Sequence, residues 1–344
     1  MKSSITFLFV LSFQFLFSFD ETNGTAARLS EVQKRTLIVE LPIKSPNYIK
    51  ELQKRNKLKE IEDYEKRCIY IRESIKTAFT KFWDFNEKIV FISSDSISSY
   101  FNANENLYAV MRYGNRSKFF VLGEKYETNY IMAYDRPRAF TLFLADEKSE
   151  VLFLITPLKA ALGEFVQSVD QFKLSLKVYL SHPDIKQTNV NAYVFSKEDK
   201  PRYEVKKLTA LIKKDDIIKV LEQQDFSEEK IAKAYPYNFK IVEQAEWEKA
   251  ILNHDAKYAC LTAYYFPVSN NVCEVSDNFH SVNNDKTCEG EGGRIIQIFG
   301  LHAASDGLSQ GADPGKKIEK IMGGIAKMLD KMEEKAKEAD FKPH

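Results

Sequence analysis

The chain has 344 residues, with 50 Lys plus Arg against 49 Asp plus Glu, a net charge of +1 and 44 % hydrophobic residues. At roughly 150 residues per domain this is about two domains, and the composition is that of a globular protein, which excludes wholesale disorder. The balanced charge lacks the basic excess that a duplex-nucleic-acid binder gathers on one face, so no nucleic-acid partner is expected.

Lys2 precedes an apolar run from Ile5 to Phe19, whose only polar members are Thr6, Ser12, Gln14 and Ser18. A run of about 15 residues fits the core of a signal peptide and falls short of the roughly 20 that a membrane span needs. The small residues Gly24, Ala26 and Ala27 offer cleavage points, so residues 1–27 read as an export signal. The mature protein is then expected to be secreted or periplasmic, with no stable membrane span.

Thr36 to Leu41 is a compact strand signal stopped by Pro42. From Pro46 to Trp83, apolar residues recur at steps of three and four with Lys and Glu between them, one long or broken helix that starts with Ser45 as cap and Pro46 at its first position. Strands follow at Lys88–Ile92, Leu107–Arg112, Phe119–Leu122, Asn129–Tyr134, Ala139–Leu144 and Val151–Ile155, with a short helix ending at Phe101. The turn Asp135-Arg136-Pro137 suggests an antiparallel meander. Leu162 to Leu180 is helical. Beyond it come a strand at Val190–Phe195, short helices at Asp215–Gln223 and Ser227–Ala234, a strand at Phe239–Val242 and a helix at Ala245–Leu252. Strands at Tyr258–Phe266 and Arg294–Phe299 flank a polar stretch, and Asp313-Pro314 starts a last helix that runs to about Ala339.

The two halves look alike. KFWDFNEKIV (81–90) and KAYPYNFKIV (233–242) match at an offset of 152, and Tyr108-Ala109 and Tyr258-Ala259 match at an offset of 150. Each half ends on an apolar strand, a loop and a closing helix. Repeats of this kind bear on the fold before any motif does. The expected fold is α/β or α+β, in two related tandem domains with mixed or antiparallel sheets, at residues 28–182 and 189–339, followed by a frayed tail at 340–344.

Cys68, on the apolar face of the long helix, reads as buried and inert. In an oxidising compartment the simplest disulfide is Cys273 with Cys288, which closes a loop of about 15 residues and is worth roughly 3 kcal/mol in the chain-entropy model. Free thiols are one alternative. A zinc site from Cys260, Cys273, His280 and Cys288 is another, but its spacings lack the close Cys pair of structural zinc sites, so no metal is expected.

Gly307-Leu308-Ser309-Gln310-Gly311 matches G-x-S-x-G, but a nucleophile elbow needs the Ser on a turn directly between strand and helix, and a loop is the simpler reading. The run from Gly311 to Lys317 has one residue too few between its glycines for a phosphate loop and puts Lys317 where Ser or Thr would bind Mg²⁺. No cofactor is implied. Tyr264, Tyr265 and Phe266 end a strand within reach of solvent and are candidates for a binding surface, and His280, His302 and Ser309 are further candidates for binding a ligand or partner. The reading with most support is an exported, non-catalytic protein that binds another protein or a surface polymer. An exported hydrolase with its site at 269–311, requiring His302, Ser309 and a carboxylate to converge, and a small-ligand binder at the cleft between the domains are the alternatives.

Overall fold

The computed structural model describes residues 25–101, 105–115, 129–131, 138–146, 150–156, 160–181, 202–267, 295–304, 309–313 and 317–340. It is a mixed α/β fold that divides into two compact units, the first holding the described residues 25–181 with 266–267 and 295, and the second those of 202–265 and 296–340. The expected strands at Phe119–Leu122 and Val190–Phe195, and the polar stretch with Cys273, His280 and Cys288, lie outside the described residues.

The first unit opens with helix α1 (Thr25–Lys34), which buries Leu29 and Val32. Strand β1 (Thr36–Leu41) follows, then the two-residue β2 (Ile43–Lys44). Helix α2 (Pro46–Lys54) starts as expected, with the Ser45 Oγ accepting from the Tyr48 amide. It stops at Arg55, and Asn56 takes a left-handed φ of 56°, a conformation in which Asn is among the best-tolerated residues. The long helical pattern is therefore broken, and α3 (Leu58–Phe82) begins afresh, with Tyr64, Cys68, Ile71, Ile75, Ala78 and Phe79 as its buried stripe. Tyr64 accepts from the Ser45 amide and donates to the Ile131 carbonyl, fixing α3 to β2 and to its parallel partner β5 (Tyr130–Ile131).

Strands β3 (Ile89–Ser93), β4 (Tyr108–Asn115), β6 (Arg138–Leu144) and β7 (Glu150–Ile155) complete a sheet of order β3-β1-β4-β6-β7. β1 is parallel to both neighbours, while β6 and β7 return as the antiparallel meander. A strand flanked on both sides by parallel partners is buried on both faces, which accounts for the nearly unbroken apolar run of β1. On one face the aromatic rings interlock with α3 and with α5 (Leu162–Ser181): Phe79 meets Phe140, and Tyr113 meets Phe165, at centroid distances of 5.4 and 5.0 Å. On the other, Ile97 of the short helix α4 (Ile97–Phe101) packs on Ile38, Ile92, Val110 and Phe143. Gly114 is needed for close approach, since a Cβ there would stand 2.7 Å from the Asn129 Oδ1.

The second unit begins with a 3₁₀ turn (Arg202–Lys207) and β8 (Thr209–Lys213), a strand of five residues that the sequence pattern does not announce. A single π-helical turn (Asp216–Val220) stands where a short helix was expected. Helix α6 (Glu228–Ala234) is capped by the Ser227 Oγ, and β9 (Phe239–Val242), α7 (Gln244–Leu252) and β10 (Tyr258–Pro267) follow close to expectation. β11 (Ile295–Ala303) runs longer than expected. Ser309, Gln310 and Gly311 belong to β12 (Ser309–Asp313), not to a loop: Ser309 and Gln310 pair with His302 and Leu301 of β11, and Gly311 falls at a shift in register. The last helix, α8 (Ile318–Asp340), starts later than Asp313. Its first amide donates to the Gln223 side chain, a cap supplied from 95 residues upstream. Lys206 ties α8 to the 3₁₀ turn through Asp330 and Glu333, at 3.1 and 2.5 Å.

Read from its β9 edge, the second sheet has the order β9-β8-β10-β11-β12, with β8 parallel to β9 and β10 and β12 antiparallel to β11. Both sheets therefore place their first strand between the second and the third, followed by the fourth and fifth. Thr36 pairs with Tyr108 as Thr209 pairs with Tyr258, and Leu37 pairs with Ile89 and Ala109 as Ala210 pairs with Phe239 and Ala259. In this register Ile89 corresponds to Phe239, an offset of 150, whereas the sequence match sets Ile89 on Ile241. The matched aromatics do keep the offset of 152: Trp83 and Tyr235 close α3 and α6, each in edge contact with the aromatic two residues on. The turn into the second strand is thus two residues shorter in the second unit. A slip of two keeps every side chain on its own face of the sheet.

Candidate functional site

Tyr264 is buried, not solvent-facing: its β10 neighbour His302 of β11 is also buried, and the Tyr264 Oη lies 2.9 Å from the His302 Nε2. His302 is in turn the cross-strand partner of Ser309. Three of the residues singled out from the sequence are thus gathered on adjacent strands, but the His302 Nε2 meets the Tyr264 hydroxyl. Tyr265 and Phe266 continue β10. His280, Cys273 and Cys288 lie outside the described residues. Cys68 and Cys260 are buried, and neither is in a disulfide among the described residues. Burial pushes the Cys260 thiol up to about 12, against a smaller downward pull from Lys213, which leaves it protonated and unreactive at neutral pH. No group of three or more His, Cys, Asp or Glu among the described residues is placed to hold a metal ion. Nor is any helix among them long and apolar enough to cross a membrane.

The sequence reading missed two buried charged clusters. In open α/β sheets the crevice at the carboxyl ends of the strands, where the chain switches sides, is the usual ligand position. In the first sheet that point lies between β1 and β4, and Glu40 and Arg112 face each other across it. Both are buried, with the Glu40 Oε2 at 3.4 Å from the Arg112 Nε, near enough for Coulomb attraction though not for a hydrogen bond. The other Glu40 oxygen accepts from the Ser94 Oγ at 2.6 Å, and Ser94 accepts from the Asn129 amide at 2.6 Å. Desolvation raises the Glu40 carboxyl above its ordinary range, outweighing the downward pull of Arg112 and of the Ser94 hydrogen bond. The one signal in the sequence is a lone Glu in an otherwise apolar strand, TLIVEL.

In the second sheet the same strand position, counted from the Thr–Tyr rows, is Lys213. It too is buried, 3.3 Å from Asp216 at the head of the π turn, and its Nζ stands 4.1 Å from the centre of the Trp247 ring. π-helical turns concentrate at functional sites. Glu222, just beyond this one, holds a φ of 54°. Sequence gives little warning here, since Lys213 and Lys214 read as the polar end of a short run.

A third feature lies on the surface. The exposed large hydrophobic side chains among the described residues are Leu58, Ile69, Tyr70, Tyr100 and Leu107, and all five belong to the first unit. The Tyr100 ring of α4 meets that of Tyr108 in a tilted arrangement, 5.4 Å between centroids, and Leu107 immediately precedes Tyr108 in the chain. Apolar groups gathered in this way, as opposed to scattered singly, mark interaction surfaces.

No family model matches the chain, and comparison with curated proteins and with solved structures finds no match.

Proposed function

We propose that this is an exported, non-catalytic binding protein whose first unit holds a protein or a surface polymer. The carrying observation is that the exposed large apolar side chains among the described residues all belong to the first unit, with Tyr100 in ring contact with Tyr108 and Leu107 next to Tyr108 in the chain. Aromatic rings present large contact area at low entropy cost, with a polar hydroxyl at the rim. The second unit is, in this reading, a related copy of the first: the strand order, the Thr–Tyr rows and the matched helix ends support a tandem duplication.

Export entails loss of the N-terminal segment and, in an oxidising compartment, a Cys273–Cys288 disulfide. Cleavage after Ala27 shortens α1 by its first residues and keeps Leu29 and Val32, its buried anchors. The test is retention of purified protein on intact cell-surface material from its source, for the wild type and for Tyr100→Ser/Leu107→Ser. The reading expects the variant to keep its melting temperature and lose retention. Equal retention by both forms would overturn it.

A further inference from the structure

We infer that the second unit binds a compact oxyanion, a carboxylate- or phosphate-bearing small molecule, at the start of α7 between Lys213, Gln244 and Trp247. In the first unit the equivalent place is filled from within. The Glu40 carboxylate accepts from Ser94, and Ile97, three residues further on, seals the face with an apolar side chain. The register offset of 150 sets Gln244 on Ser94 and Trp247 on Ile97, with Lys213 on Glu40. The acceptor is thus replaced by a cation, and the apolar cover by an indole that carries an N–H.

Two side-chain donors at this place stand without an acceptor. The Trp247 Nε1, on a fully buried side chain, and the Gln244 Nε2 are both buried without a hydrogen-bond partner. They are three residues apart and so share a face of α7, which the Trp247–Lys213 contact sets against the sheet. Side chains in a helix lean towards its N-terminus, so the fourth residue of α7 covers the first turn. That turn has no side-chain cap: Glu243 makes none, and its carboxylate points 3.8 Å from the Lys214 Nζ instead. Two orphan donors in the first turns of α7 and the ammonium at the end of β8 belong to the place where a strand ends and a helix begins, the setting in which backbone amides hold anions. Asp216 neutralises part of the Lys213 charge, so the site selects a small hydrogen-bond acceptor and not a polyanion. Gln244 is only half-buried, which leaves an approach from the helix end. The site does not depend on the surface proposed for the first unit.

The chain has two tryptophans, Trp83 and Trp247, so Trp83→Phe in the full chain isolates the Trp247 emission. Inorganic phosphate and acetate are titrated separately against chloride at matched ionic strength, and the wild-type melting temperature is followed in the same solutions. The expected result is a saturable change in Trp247 emission and a rise in melting temperature with at least one of the two, the responding anion naming the ligand class. Gln244→Leu, at a half-buried position that tolerates the change, is expected to weaken that response about tenfold or more. Emission and melting that follow ionic strength alone, or a Gln244→Leu protein that responds like the wild type, would overturn the inference.

Discussion

The first and second units build the same sheet and fill its centre in opposite ways. In the first, a buried carboxylate at the end of β1 is answered by a guanidinium on the next strand and a hydroxyl from the following turn. In the second, a buried ammonium at the end of β8 is answered from its own turn by Asp216 and is roofed by an indole. The difference teaches where two sheets of the same strand order are free to vary. Rows near the start of the strands keep the Thr–Tyr pairs, and the carboxyl ends, where the crevice lies, change sign. Among the described residues the two units differ in the same manner, since the exposed large apolar side chains belong to the first unit and the orphan buried donors of α7 to the second.

The comparison breaks most easily at the two short helices. If α4 and α7 are equivalent covers, truncating either one opens a cavity beneath it. Trp247→Ala is expected to cost about 3–5 kcal/mol and Ile97→Ala about 2–5 kcal/mol in urea unfolding. A negligible loss at one of them would mean that the helix is not a cover. The glycines sharpen the contrast at smaller energy. Gly114→Ala pushes a methyl to 2.7 Å from the Asn129 Oδ1 and is expected to destabilise by about 1–3 kcal/mol. Gly323 of α8 faces the Ala234 Cβ at an ordinary contact distance of 3.4 Å, so Gly323→Ala is expected to gain about 0.5–1 kcal/mol of helix propensity.

Two pH profiles follow from the charges. The Glu40 carboxyl is raised in the folded state above its ordinary 4.5, so its contribution is fully present below that value and is lost as pH rises through the folded value. Glu40→Gln removes the loss, and thermal melts are expected to show the variant gaining on the wild type as pH rises above about 4.5. Asp330 behaves in the opposite sense. Its hydrogen bond from Tyr237 and its contact with Lys206 hold it below its ordinary 3.8, so its contribution is present above that value and is lost on acidification. The gap between wild type and Asp330→Asn, about 0.2–1 kcal/mol for a solvent-screened pair, is expected to close as pH falls below 3.8.

Much of the element order was legible because periodicity carries it. The α3 stripe, the meander and β9 sit where their apolar spacing puts them. What was not legible depends on distant partners. β8 has five residues and a lysine at its end, and it becomes a central strand only through β9 and β10. The start of α8 is set by Gln223, far upstream. The sequence match at an offset of 152 did not show the strand register, which follows an offset of 150, because a turn two residues shorter separates the helix ends from the strands. The buried charges were the least legible, since a single Glu or Lys inside an apolar run looks like a strand's exposed edge until both neighbouring strands are known. Tyr264 and His302 were both candidates, but neither their contact nor their burial was legible, because both depend on the pairing of β10 with β11.

The account turns most on the claim that the first unit closes its own crevice with a coupled pair, Glu40 and Arg112. A double-mutant cycle with Glu40→Met, Arg112→Met and the double variant, read by urea unfolding, tests this directly. Each single variant is expected to lose about 3–5 kcal/mol by stranding a buried partner, and the double variant to recover most of that loss. Losses that simply add would show that the two residues act independently, and would contradict the account.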